Sequence, residues 1–465
     1  MRTGSLPTGL DEHRERNAGA AAVRTVQERI AESRVEYVYH QTVTLTGRVV
    51  GKVAPAAQLV RHIENGVQMH RAILTDARVD RSGTMLGAGV EGTECTAMPD
   101  LDSFGVLPWD TRTGFFFCDL YESAHMPEDV SGRPLAADAR GNLKRVHAGF
   151  TERTGLELRS GCEPEMTWAL PGAAAGRDPH AVSTIYHVDH MEQYRPVYQK
   201  VIEYGRALGI DMTEGNCEAP GQLELNWMFD RADRTADRLI VHRQICRQVA
   251  RETGVPVSFL PKRAAAELGN GCHHNISLWR DGRNVFVDPG LSELHLTETA
   301  RHALGGVLAH AVAATAVMGP TVNSYKRYAD EGHLAPLRIN WGMDNKTCAV
   351  RVPAVGRLEF KLPDAMVNPY LSHAVLIAAI EDGLVNRTDP GPPEGAVAGD
   401  GSDRFGTVPL TLGEALERYA ADPVVTRALG PEISRLFMEL KADEWGRFCS
   451  TVTDWEHAMY GEAGC

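Results

Sequence analysis

The chain has 465 residues, 43% of them hydrophobic and 23% charged, with 48 basic and 61 acidic side chains and a formal charge of −13. Such a length and composition describe an ordinary globular protein of about two or three domains. An acidic balance with no Lys/Arg block argues against nucleic acid or an anionic membrane surface as a partner.

Residues 1–19 are polar, lack an apolar signal core and read as a flexible arm. A helical pattern follows from Ala20 to Ser33, then strand-like segments at 36–46, 48–55 and 114–121. The stretch from Met126 to Asn142 is rich in Pro, Gly, Asp and Ala and reads as a connector. A domain boundary placed there gives an N-terminal domain at 20–125 and an α+β domain at 126–465 that ends in a helical tail. The apolar run from Ala303 to Gly319 contains His310 and is too short to span a bilayer, so it reads as a buried helix. Residues 389–403 read as a flexible loop, and Thr411 with Glu414 as a capping box opening the tail. Nine cysteines with no CxxC pair fit reduced thiols in a cytoplasmic compartment.

Four stretches could carry chemistry. In GCEPEMTW, Glu163 and Glu165 are two apart, so a strand puts both carboxylates on one face, able to hold hard cations. The alternative is a pair of surface glutamates beside an edge-strand proline. In EGNCEAPGQLELNW, Glu218 and Glu224 flank a turn and offer a second carboxylate set, or a solvated turn. In ELGNGCHHNISLW, Gly269 to Gly271 lead into a strand where His273, Asn275 and Ser277 share a face and His274 takes the other. Near the C-terminal third, Lys326 and Arg327 follow a Gly-Pro break. Beyond them an alternating hairpin buries Val350, Val352, Leu358, Phe360 and Leu362 and leaves Arg351, Glu359 and Lys361 on its open side. A carboxylate between cations suits chemistry on a phosphorylated carboxylate, though ordinary ion pairs on a solvated face have the same pattern.

VLPWDTRTGFFFCDLY, EPE, PGQLE, NGCHHNISLW, PTVNSYKR, DNKTCAVRVP, RLEFKLPDAMVNPYL and DWEHAMY, in this order over nearly the whole chain, resemble the signatures of the glutamine synthetase superfamily. The resemblance implies a small N-terminal β-grasp domain, a large catalytic α+β domain and a homo-oligomer, usually a dodecamer of two stacked hexameric rings. It also implies ATP and Mg²⁺ or Mn²⁺ as cofactors and glutamate and an amine as partners. Carried over residue by residue, Glu163, His273 and Glu359 hold the metal nearer the transferred phosphoryl group. Glu165 and Glu224, with a third ligand near Glu218, hold the metal nearer glutamate. Gly269 lies beside the amino acid and Arg327 takes its α-carboxylate. Arg351 meets phosphate, and Asn275 and Ser277 lie on the nucleotide side.

Several positions depart from the family pattern. Thr44, three residues before Gly47, replaces the aspartate that handles ammonium, and Leu334 replaces the catalytic glutamate before Ala335. This combination resembles the γ-glutamylamide synthetases, whose nucleophile is an organic amine rather than ammonium. Glu331 and His333 are candidate replacement bases. Cys217 aligns with an expected metal glutamate, so either Glu218 shifts by one or the metal loses a ligand. Lys346 and Lys361 stand where the family has arginines for phosphate, nucleotide and substrate carboxylate, and lysine lacks the bidentate fork. The acid substrate therefore stays open between glutamate and another carboxylate. Two alternatives to the amide ligase remain: an ammonium-using glutamine synthetase and a non-catalytic ligand-binding or scaffold member. No tyrosine occurs between Tyr370 and Tyr419, which argues against adenylylation control of the bacterial type.

Overall fold

A computed structural model describes residues 8–87, 89, 91–170, 185–290, 295–329, 335–395 and 404–461. Glu331, His333, Leu334 and most of the expected 389–403 loop lie outside these residues. Within residues 1–19, Gly9–Asn17 is a helix rather than a loose arm. The low hydrophobicity that suggested disorder is offset by polar anchoring: His13 contacts the Tyr121 hydroxyl at 2.9 Å and the Pro99 carbonyl at 3.1 Å, and Asn17 donates to the same carbonyl.

The N-terminal sheet has the order Val49–Pro55, Tyr37–Val43, Thr113–Glu122, Glu94–Pro99, Val67–His70. Its central strand, Thr113–Glu122, carries the Phe115–Phe117 run and is buried almost throughout because both of its faces are covered: Phe115 and Phe117 pack into the main core, and Phe116 against Val26, Val35 and Leu59. The pairing of Tyr37–Val43 with this strand is parallel, and the other pairings along the path are antiparallel. In the connector, the helix Ala139–Thr154 begins before the Pro/Gly-rich stretch ends.

The second sheet carries the site. Its order is Trp341–Met343, Val350–Ala354, Arg357–Phe360, Cys272–Arg280, Glu157–Trp168, Gln222–Trp227, Met212–Ala219. Glu157–Trp168 is central, not an edge strand. Pro164 is tolerated because, on the edge facing Gln222–Trp227, pairing stops at Ser160 and resumes at Glu165, so no ladder bond needs its missing N–H. Behind the sheet, the helices Ala232–Thr253, Glu298–Met318 and Pro369–Asn386 bury continuous apolar surface, and Glu298–Met318 matches the buried helix expected around His310. The tail helix Leu412–Ala421 is capped by Thr411, which accepts from the Glu414 N–H at 3.1 Å. The Glu414 carboxylate reaches the Leu410 N–H instead of closing a full capping box. The described cysteines are free thiols, all buried except Cys449. No described helix is long and apolar enough to cross a membrane.

Candidate active site

One row of side chains crosses six neighbouring strands of the large sheet. In sheet order it runs Arg351, Glu359, His273, Glu163 with Glu165, Glu224, Glu218. Strands are spaced about 4.8 Å apart, so the row is on the order of 24 Å long. It lines a cavity of about 500 Å³ that also takes in Gly269, Arg327, Lys346 and Lys361. Asn275 and Ser277 face an adjoining cavity of about 460 Å³, which shares Glu163 and Asn226 with the first and is walled by Trp227, Phe229 and Ile276. Thus the residues assigned to metal, substrate and nucleotide fall in two adjoining spaces.

Two clusters stand out within the row. Glu163, His273 and Glu359 each offer a ligand atom within 4.8 Å of the others, as do Glu165, Glu218 and Glu224. His273 Nδ1 lies 3.5 Å from Glu163 and 3.3 Å from Glu359. Burial opposes a charge on this imidazole, but the hydrogen bonds to Glu163 and Glu359 prevail and push it up to about 10. Glu359 is also penalised by burial, yet His273, with Lys361 and Arg351 beyond, holds it down to about 2. The other cluster lacks such a cation. Burial, and then Glu165, push Glu218 up to about 7, and burial with Glu163, Glu218 and Glu165 pushes Glu224 well above the carboxylate range. Carboxylates held this close repel one another unless a cation completes the charge. Five carboxylates and one imidazole, with no thiolate, form a donor set for hard divalent ions. The residues therefore fit Mg²⁺ or Mn²⁺.

The position of Cys217 is settled by the backbone. Cys217 pairs with Leu223 and Ala219 with Gln222, leaving Glu218 as the extra residue of a bulge. The bulge turns Glu218 into the carboxylate cluster, while Cys217 stays fully buried and donates its S–H to the Ala219 carbonyl. The turn that follows depends on Gly221, whose φ is +79° and whose place a Cβ would share with the Trp168 carbonyl at 2.6 Å.

Neighbouring groups fix the row. Glu165 accepts from the Gly271 N–H at 2.6 Å and from Gln222, which also donates to the Gly269 carbonyl at 2.8 Å. Glu224 accepts from Asn226 at 2.6 Å, and Glu163 from Asn275 at 2.8 Å. Sequence reasoning gave Gln222 and Asn226 no role, although both lie two residues from Glu224 on its own strand, where alternation puts them on its face. Arg327 is buried in the helix Ser324–Tyr328 and donates to the Leu362 and Lys361 carbonyls at 3.2 Å, so its guanidinium is held in place. A Cβ at 269 would meet Arg327 Cγ at 2.7 Å, so glycine is the residue that lets this arginine lie against the loop. Lys326 points away, onto the ring of Phe448. Arg351 donates to Glu359 at 3.0 Å and to Asp344. Lys361 is buried and donates to the carbonyl of Lys346, so both lysines stand together at one wall. His274 points to the other face, as expected, where it contacts Ser372 at 2.8 Å and stacks on His373.

The turn bearing Thr44 contributes no carboxylate of its own. Thr44 is buried, shares a hydroxyl contact with Thr46 at 3.0 Å and accepts from the Arg48 N–H. Asp76 comes to this turn from elsewhere in the chain, accepting from Thr46 at 2.5 Å and lying 3.9 Å from Arg78.

Fold and site together define a carboxylate–amine ligase of the glutamine synthetase type. Residues 136–460 match the family "Glutamine synthetase, catalytic domain". Glutamine synthetase of Methanocaldococcus jannaschii is 30% identical over 456 residues, 93% of this chain and 96% of the other. That of Rhizobium meliloti is 34% identical over 378 residues, 78% of this chain and 84% of the other. Among solved structures, a GmaS/ADP complex superposes with a TM-score of 0.82 at 30% identity, covering 93% of this chain and 98% of that one. GmaS without ligand gives 0.81 at the same identity and coverage. The chain belongs to the glutamine synthetase family, and it is an ATP-dependent ligase that forms C–N bonds.

Proposed function

We propose that the chain joins an organic amine to the γ-carboxylate of glutamate, using ATP, and so makes a γ-glutamylamide. The observation that carries this reading is the Thr44 turn, where hydroxyls and a backbone N–H stand in place of a carboxylate, while the metal-type row keeps all its members. Ammonium must be held as a cation and deprotonated, which needs a fixed carboxylate, whereas a less basic amine arrives uncharged. Likeness to GmaS, γ-glutamylmethylamide synthetase, supports an organic amine over ammonium; methylamine is itself more basic than ammonia, so the argument from charge applies to the aryl and hydrazine-type amines.

In this reading Glu163, His273 and Glu359 hold one divalent cation and Glu165, Glu218 and Glu224 the other. Bound Mg²⁺ or Mn²⁺ supplies neutralisation of the phosphate oxygens. Arg327 fixes the α-carboxylate of glutamate, and Gly269 leaves room for it. Lys361 stands over the side-chain carboxylate as a single point charge, and the same pocket would accept another short acid. The carboxylate oxygen attacks the γ-phosphorus of ATP and ADP leaves, with Arg351 and Lys346 balancing the charge. The amine nitrogen then attacks the acyl carbon, phosphate leaves, and the nitrogen gives up one proton. Asn275 and Ser277 face the nucleotide, whose base fits the apolar cavity at Phe229.

ADP release is the test, with ATP, Mg²⁺ or Mn²⁺, glutamate, and either ammonium or a panel of alkyl, aryl and hydrazine-type amines. Turnover with an organic amine and little with ammonium is expected. A second reading, ammonium-using glutamine synthesis, is favoured by Asp76 beside the turn and by the names of the relatives. Equal or better turnover with ammonium would establish it. Catalysis by a ring-shaped homo-oligomer is part of the proposal and is checked by sedimentation.

A further inference from the structure

The strands that carry the metal-type row have a second face, turned to the helices behind the sheet. Cys162 precedes Glu163, and Cys272 and His274 flank His273, so alternation sends these three side chains away from the carboxylates. Cys162 is 2% exposed, and Cys272 and His274 are fully buried. Each offers a donor atom within 4.8 Å of the others, and none of the three belongs to the row in front.

Their arrangement suits one shared ion. Cys162 Sγ lies 3.7 Å from His274 Nδ1, and the two thiols are in hydrogen-bond contact. Metal–sulfur and metal–nitrogen bonds of about 2.3 and 2.0 Å, opened to about 120°, separate their donors by about 3.7 Å. On the far side of the ring, Nε2 lies 2.8 Å from Ser372 Oγ, whose hydroxyl donates to the Pro369 carbonyl at 3.3 Å. Nε2 therefore carries the proton and Nδ1 turns its lone pair toward the thiols. An outer hydrogen bond orients a metal-ligating histidine in the same way.

A disulfide is the other use of two neighbouring thiols, and register opposes it. Cys162 stands opposite His274 and Cys272 opposite Pro164, so the cysteines are diagonal neighbours. Diagonal Cα atoms on adjacent strands are about 7–8 Å apart, and a disulfide needs less than about 7 Å. Coordination number narrows the choice of ion. Among the described residues no fourth His, Cys, Asp or Glu joins the three, whereas a structural zinc ion takes four donors. Two thiolates and an imidazole suit soft Cu(I). A cation stands beside them: Arg243, buried on the helix Ala232–Thr253. Of the groups that favour its charge, the two thiols act most strongly, ahead of Asp364.

We infer that Cys162, Cys272 and His274 form a three-coordinate site for Cu(I), directly behind the hard-ion row. The ion bonds to both Sγ atoms and to Nδ1, and the two S–H protons leave to solvent. Two thiolates and Cu(I) carry one net negative charge, which the Arg243 guanidinium offsets. Bound there, the ion ties the strand Glu157–Trp168 to Cys272–Arg280 one residue away from Glu163 and His273.

The test is titration of the reduced full chain with Cu(I) in the absence of oxygen, against bicinchoninate as competing ligand. One ion per chain is expected, and copper X-ray absorption should show two sulfurs and one nitrogen. The variant is Cys162→Ala with Cys272→Ala, which removes only the two sulfur atoms. Mn²⁺ binding at the front row, read by electron paramagnetic resonance, checks that this variant folds. Its copper affinity should fall about 100-fold or more while its Mn²⁺ affinity stays within about 3-fold. Equal copper binding in the variant would place the ion elsewhere and overturn the inference. So would failure of the wild type to take copper from the competitor, or a coordination shell without two sulfurs, a result that needs no variant. Zn²⁺ bound at these residues in preference to Cu(I) would overturn it too, since that ion requires a fourth donor.

Discussion

At the scale of single residues, the decisive feature is the bulge that separates the roles of Cys217 and Glu218. One extra residue moves a carboxylate from beside the cluster into it and leaves a thiol in the core. Glu218→Gln should therefore weaken Mn²⁺ binding by about 100-fold, and Cys217→Ser should change it by less than about 3-fold, since losing a ligand costs at least as much as losing its outer support. Titration of Mn²⁺ followed by electron paramagnetic resonance reads this directly. Equal losses in both variants would put the thiol, not the carboxylate, at the metal.

At the scale of elements, the long helices hold the sheet through a few polar joints. His310, on Glu298–Met318, contacts Asp422 at 2.7 Å and Asp382 at 3.1 Å and so ties that helix to two others. Asp422 also caps the helix that begins at Pro423, accepting from the Val424 N–H at 2.8 Å. Burial opposes charge on His310, but Asp422 and Asp382 raise it above its ordinary 6.5. A group raised in the folded state stabilises fully below its unfolded value, and this is lost as pH rises through the folded one. Asp422 is held below 3.8 against burial by His310, so its share is present above that value and lost in acid. The difference in unfolding free energy between wild type and His310→Ala should thus be larger at about pH 6 than at about pH 9. A difference that does not shrink on raising pH would mean that the ring acts by packing alone.

Legibility in the sequence followed the range of the interactions. Glu163 with Glu165, and His273 with Asn275, were readable because alternation in a strand is a local rule. The strands themselves and the helix Ala20–Ser33 were readable for the same reason. The helix Gly9–Asn17 was not, because its anchors are polar and lie 82 to 108 residues away. Whether Glu218 shifts by one into the cluster stayed open in the sequence, because register belongs to two strands together, and one of them cannot show it.

At the scale of the molecule, the two domains meet in a buried ion network. Arg140 reaches Asp119 at 2.6 Å, Asp100 at 2.8 Å and Asp237 at 2.8 Å, and Lys144 joins Asp119 at 2.6 Å. Asp100 and Asp119 belong to the N-terminal sheet region, Asp237 to a helix behind the large sheet. Partners 21 to 97 residues apart left no sequence signal. Removing the hub leaves Asp237 without its cation and Asp100 and Asp119 with Lys144 alone, so Arg140→Ala should cost about 3–5 kcal/mol in urea denaturation. A loss below about 1 kcal/mol would show that the domains are held by apolar contact and not by this network.

The account turns on which nucleophile the site accepts. The measurement is a competition: ATP, Mg²⁺ and glutamate with equal concentrations of ammonium and one organic amine (methylamine, aniline or hydrazine in turn), with products separated by mass. The Thr44 turn and the complete carboxylate row predict a γ-glutamylamide as the main product with at least one of the three amines. Glutamine as the main product in every mixture would contradict that and return the chain to ammonium chemistry.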